Sequence, residues 1–167
     1  ENAERLMAAP SEMMDILIEM NGQVCGYSAE RKLGVCGTTA AVVLADGGRI
    51  YASNVGDSRI YHFRTGLTQI SADHVMSYHG RRALTQFVGI PENELCIEPH
   101  LCTAQLEDGA GLLICSDGLT DMVDEARIAE ILMGDGSADE KCGRLADEAL
   151  AAGGRDNITI IVLEWNG

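Results

Sequence analysis

From Thr38 onward, short apolar runs alternate with turn signals: residues 40–45, then Asp46-Gly47-Gly48, 50–55, Gly56-Asp57, 59–63, Arg64-Thr65-Gly66 and 67–70. Runs this short, bounded by glycine and aspartate, predict an antiparallel meander. A further strand is expected over 96–105. Asp108-Gly109-Ala110-Gly111 then turns into residues 112–115, which are too apolar to alternate and so predict burial on both faces. The run 158–163, rich in β-branched residues, reads as a last buried strand.

Helical periodicity flanks and interrupts these strands. Residues 12–20 predict a helix with Met14, Leu17 and Ile18 on one face, Pro10 marking its start and Asn21-Gly22 its stop. Residues 23–36 lack periodicity and read as a loop, in which Val24 and Leu33 could seed short strands. Residues 78–87 predict a helix despite Gly80, leading into a proline-containing loop over 89–94. Asp124 is a candidate N-cap for a helix with an Ile128, Ile131, Leu132 stripe. Ser137 and Glu140 fit a capping box before Cys142, Leu145, Ala146, Ala149 and Leu150, and Gly153-Gly154 ends that helix.

At 167 residues the chain suits one domain with a real core. Twelve basic against 26 acidic residues give a net charge of -14, which repels nucleic acid and anionic membrane and attracts divalent cations. No apolar run is long enough to span a bilayer. The six cysteines (Cys25, Cys36, Cys96, Cys102, Cys115, Cys142) show no metal-binding spacing and read mostly as buried thiols, Cys115 most clearly. With no secretory pattern in residues 1–10, that usage suits a reducing, cytoplasmic location.

Asp-Gly occurs at Asp46, Asp108, Asp117 and Asp135, and three of these are ordinary turn chemistry. Asp117 differs because it follows a buried strand and precedes a helix, where a carboxylate needs a partner. A helix cap is the alternative for it. Asp156 opens the last strand, and if that strand runs antiparallel to 112–115 the two carboxylates meet at one sheet edge, an oxygen site suited to a hard cation. Pairing with Arg155 or a turn hydrogen bond is the alternative for Asp156, and an Asx turn through Ser58 or Arg59 for Asp57.

Gly37-Thr38-Thr39-Ala40, Asn54 to Arg59 with Gly56-Asp57-Ser58-Arg59 at its centre, Asp73-His74, Arg82-Ala83-Leu84, Cys115 to Leu119 around Ser116-Asp117-Gly118, and Gly154 to Thr159 around Arg155-Asp156-Asn157 stand in a telling order. Over residues 37–164 they resemble the metal-dependent protein serine/threonine phosphatases of the PP2C type (PPM family). The resemblance implies an α+β fold, a sandwich of two antiparallel β-sheets flanked by α-helices, with 73–99 as the flap beside the active site. It implies hydrolysis of phosphoserine and phosphothreonine in proteins by a metal-activated water. The cofactors would be two Mn2+ or Mg2+ ions and a third, weaker one. Asp117 and Asp156 would ligate one ion of the pair, and Asp57 with Asp117 the third.

The resemblance also sets what is missing. Relatives carry an Asp-Gly-x-Gly-Gly motif upstream, and nothing in residues 1–36 matches it. The chain 1–167 is therefore expected to be a single partial domain without its N-terminal strands. No catalytic residue is assigned within it, because the general acid and the phosphate-binding arginine belong to the absent segment. Such a chain is expected to be inactive alone, and to associate with itself or with the N-terminal segment through unpaired strand edges. A non-catalytic regulatory module of the same fold is the alternative function.

Overall fold

The computed structural model describes residues 11–167. Pro10, expected to mark a helix start, lies outside them. The chain folds into four layers. Helix α1 (Glu12–Arg31) covers a three-stranded sheet of β1 (Ala40–Asp46), β2 (Arg49–Val55) and β7 (His100–Gln105), ordered β1-β2-β7. Behind it stands a four-stranded sheet of β3 (Arg59–Phe63), β4 (Leu67–Gln69), β8 (Gly111–Cys115) and β9 (Ile160–Glu164), ordered β4-β3-β8-β9. Its outer face carries α2 (Asp117–Thr120), α3 (Glu125–Met133) and α4 (Ala138–Ala151). A hairpin of β5 (Val75–Tyr78) and β6 (Arg81–Leu84) stands apart. All strand pairs are antiparallel.

Alternation along the central strands assigns each core its layer. Leu112 of β8 joins Ile50 of β2 between the sheets, with Leu106 and Ala110. Leu113 and Cys115 turn the other way, onto Leu119, Ile128, Ile131, Leu132 and Leu145 of the helices. Val55 faces Leu17 of α1, with Val88 and Ile90. The double burial expected of 112–115 follows from this position between two cores.

Several expectations are corrected. The predicted meander divides: β1-β2 and β3-β4 are hairpins of different sheets, and Gly56-Asp57-Ser58 is the crossing between them. Helix α1 does not stop at Asn21-Gly22 but runs to Arg31, closed by Lys32 at φ +56°. Asn21 is buried and bonds outward, its amide donating to Ile90 O at 3.1 Å and its carbonyl accepting from Gly89 N at 2.7 Å. Tertiary partners thus satisfy a side chain that in isolation favours ending a helix. Val24 consequently lies in α1 rather than in a strand, Leu33 is an exposed residue beyond it, and Ile18 is exposed.

Residues 78–87 are not a helix. His79 (φ +50°) and Gly80 (φ +75°) form a two-residue turn of the I′ kind, which matches strand twist and makes 75–84 a hairpin. The strand expected over 96–105 is confined to β7. No residue of β9 is fully buried and Ile161 is 54% exposed, because β9 is an edge strand. Of the cysteines only Cys115 is buried, while Cys36 and Cys96 are exposed.

The C-terminal helices follow their local signals. Asp124 accepts from Arg127 N at 2.9 Å. Ser137 and Glu140 close both bonds of the capping box, at 3.3 and 2.8 Å. The buried stripe of α4 is Lys141, Leu145 and Ala149, whereas Leu150 is exposed.

Candidate functional site

The motifs meet in pairs. Thr39 Oγ1 and Ser58 Oγ lie 2.8 Å apart, and Gly56, at φ +99°, comes so close that a Cβ there would stand 2.4 Å from Thr39 Cγ2. Gly-Thr-Thr is thus the buttress for the crossing that carries Asp57. On the other side, Ser116 Oγ donates to Asn157 O at 3.1 Å and accepts from Thr159 N at 3.0 Å. A Cβ on Gly118 would stand 2.2 Å from Asn157 O, so only glycine admits that approach.

Register brings the two pairs to one end of the sheet. Arg59, Cys115 and Ile160 are neighbours across β3, β8 and β9. Asp57 precedes β3, Asp117 follows β8 and Asp156 precedes β9, so antiparallel pairing puts all three beyond the same sheet edge. The Asp117 carboxyl is raised above its ordinary value, first by burial, then by the charges of Asp57, Asp121 and Asp156. Asp121, the C-cap of α2, lies four residues after Asp117.

Asp57 is 9% exposed, and its carboxylate receives no hydrogen bond; Arg82 of β6 reaches it at 3.6 Å. The Asx turn considered for Asp57 is not formed, because Ser58 bonds Thr39 and Arg59 binds Asp73. Asp156 does make a turn bond, accepting from Asn157 N at 2.7 Å.

Asp73 lies alongside in the opposite condition. Arg59 grips it with Nε at 3.0 and 3.1 Å and Nη2 at 2.7 Å, Gln69 donates at 2.8 Å, and Arg82 Nη2 lies at 2.8 Å. Burial alone would raise this carboxyl, but the hydrogen bonds from Arg59 and Gln69 and the charges of Arg59 and Arg82 hold it below its usual value. Arg59 Nη1 also donates at 2.9 Å to the hydroxyl of buried Tyr61, which in turn donates to Glu125 at 2.9 Å. Arg82 Nη1 reaches Asp121 at 3.2 Å, so the hairpin is pinned across the acidic rim. His74 is fixed nearby: its Nδ1 accepts from Gly56 N at 3.1 Å, and burial lowers its pKa.

Asp121 and the three-acid span of Arg82 were not singled out from sequence. An i, i+4 spacing from Asp117 on a short helix is the signal that could have found Asp121. Cys115 is no nucleophile, since burial pushes its thiol up to about 12.

An all-oxygen donor set, with buried Asp57 accepting no hydrogen bond and Asp117 repelled by its neighbours, fits a hard divalent cation in charge and chemistry. Geometry is less complete. Among the described residues no group of three or more histidine, cysteine, aspartate or glutamate side chains is arranged to hold an ion.

Fold and rim together define a two-sheet antiparallel domain that gathers carboxylates at the ends of β3, β8 and β9. Residues 6–150 match the family model described as Protein phosphatase 2C. The serine/threonine phosphatase stp of Listeria welshimeri is 31% identical over 166 residues, covering 89% of this chain and 65% of that protein. The serine/threonine protein phosphatase PstP of Mycobacterium tuberculosis is 35% identical, covering 90% of this chain and 33% of that protein. The crystal structure of serine/threonine phosphatase Stp1 from Staphylococcus aureus superposes with a TM-score of 0.86 at 26% identity, over 95% of this chain and 68% of that one. The chain belongs to the protein phosphatase 2C family. It spans less than two thirds of the length of the Listeria relative.

Proposed function

We propose that the chain serves the metal-dependent hydrolysis of phosphoserine and phosphothreonine in proteins, with Asp57, Asp117 and Asp156 contributing carboxylates to Mn2+ or Mg2+. Its relatives' names support the reaction class. The observation that carries the residue assignment is the antiparallel register of β3, β8 and β9, which brings Asp57, Asp117 and Asp156 to one end of the sheet, where burial and the neighbouring acids Asp57, Asp121 and Asp156 raise Asp117. When bound, the ions would lower the pKa of a water and neutralise phosphoryl charge. The protein's part is to keep the carboxylates fixed: Gly118 against Asn157 sets Asp117 relative to Asp156, and Gly56 against Thr39 sets Asp57.

Three carboxylates can hold an ion but offer too few donors to fix a pair, so we infer that these 167 residues hydrolyse phosphopeptides poorly without further ligands. The flap role of 73–99 and a cytoplasmic location belong to the same reading; among the described residues no helix is long and apolar enough to cross a membrane. The non-catalytic module of the same fold is the second reading.

Calorimetric titration with Mn2+ decides between them. The native chain should bind, and D117N should weaken binding at least tenfold, by roughly 1.4 kcal/mol. No heat from the native chain supports the module, and unchanged affinity in D117N removes Asp117 from the site. Robust Mn2+-dependent phosphopeptide hydrolysis by a preparation of verified intact mass would overturn the inactivity.

A further inference from the structure

The β5-β6 hairpin has two unlike faces. Cross-strand partners share a face, so Ser77 and Arg82 stand together on one side while Tyr78 and Arg81, with Met76 and Ala83, stand on the other. The first face turns to the acidic rim, as the bonds of Arg82 to Asp73 and Asp121 require. The second therefore turns away. On it Met76 is 51% and Tyr78 61% exposed, Arg81 is exposed without a hydrogen bond or ion pair, and His79 stacks edge-on against Tyr78 at 4.3 Å. Among the described residues β5 pairs only with β6, which leaves outer-edge backbone groups free.

This face is also an electrostatic exception. Residues 74–91 contain no Asp or Glu, in a chain with 26 of them and a net charge of -14. Here an arginine without a bonded partner lies beside exposed aromatic and thioether surface, so this face does not repel an acidic partner as the chain's net charge does. Tyr, Met and Arg are the residue types that anchor protein interfaces, and an open strand edge suits an extended peptide.

Building on the phosphatase reading, we infer that the outward face of the hairpin, centred on Tyr78 and Arg81, docks the acidic flank of a phosphoprotein substrate. Arg81 and Arg82 are consecutive and point oppositely, so a peptide held by Arg81 is a few residues, at about 3.4 Å each, from the carboxylate rim. Charge supplies the selection: Arg81 attracts an acidic flank against the repulsion of the chain's net charge.

Fluorescence anisotropy on the full chain with Mn2+ tests this, using labelled phosphopeptides flanked by Asp/Glu or by Lys/Arg, each also unphosphorylated. The acid-flanked peptides should bind about tenfold tighter than the base-flanked ones at low salt, phosphorylated or not, and the preference should shrink as salt rises. R81E should abolish it, R81K should keep it, and Y78A should weaken acid-flanked binding several-fold. Circular dichroism melts of each variant should match the native chain. Equal affinity for both flanks, a preference that survives R81E, or tighter binding of a single-stranded oligonucleotide overturns the docking face. Flank preference without any gain from the phosphate would leave the docking face standing and count against the phosphatase site instead.

Discussion

Asp73 and Asp117 are both half-buried aspartates at one end of the molecule, and their surroundings push them in opposite directions. Asp73 is held by Arg59, Gln69 and Arg82, and its carboxyl is depressed. Asp117 faces Asp57, Asp121 and Asp156, and its carboxyl is raised. One acid has its cations built into the fold; the other is surrounded by acids and lacks one. A depressed carboxylate stabilises the fold, whereas a raised one stores an electrostatic cost that a bound cation would relieve. Arg82 joins the two clusters, nearest to Asp73 at 2.8 Å and farthest from Asp57 at 3.6 Å.

The largest expected consequence is on stability. D73N should cost about 2–3 kcal/mol, below the full penalty for a buried pair because the partners keep 17% and 19% of their side-chain exposure. Urea unfolding measures it, and a loss below roughly 0.5 kcal/mol would mean that Arg59 is not held by this charge.

A smaller effect separates the two acids by pH. Asp73 has a folded-state pKa below its unfolded value, so its stabilisation is present above the unfolded value and is lost as pH falls through the folded one. Asp117 has the opposite sign: its contribution is full below the unfolded value and is lost as pH rises through the raised one. In metal-free buffer, D73N should flatten the acid limb of the stability profile and D117N should remove a decline that sets in as pH rises past the ordinary carboxylate value. Identical profiles for both variants would erase the distinction.

The smallest effect sharpens it most. Without metal, D117N should leave stability unchanged or raise it by a few tenths of a kcal/mol, because it relieves repulsion. With millimolar Mn2+ the order should reverse, the native chain gaining in thermal midpoint and D117N not. An equal Mn2+ shift in both chains would place the ion elsewhere.

Legibility in the sequence tracked the distance over which each feature is decided. The caps at Asp124 and Ser137 involve partners three residues away, and both formed as expected. Asp57, Asp117 and Asp156 stand out in the sequence because each sits in a short motif at a strand end, and the register gathers them at one end of the sheet. Asp121 and the reach of Arg82 were not, since Asp121 looks like any surface acid until Arg82, 39 residues away, meets it. The helix expected over 78–87 failed because apolar spacing outweighed a two-residue turn signal.

What the sequence alone determined is whatever depends on neighbours along the chain: strand runs, caps, and the motif order that marks the family. Their energies come from local backbone hydrogen bonding and burial patterns. The tertiary structure decided what depends on partners far apart in sequence. Helix α1 continues through Asn21 because Gly89 and Ile90, 68 and 69 residues on, satisfy its amide. The apparent meander becomes two sheets because the chain crosses at Asp57. The acidic rim exists only because antiparallel register brings the start of β3, the end of β8 and the start of β9 to one edge, where electrostatic interaction depends on distance in space rather than along the chain.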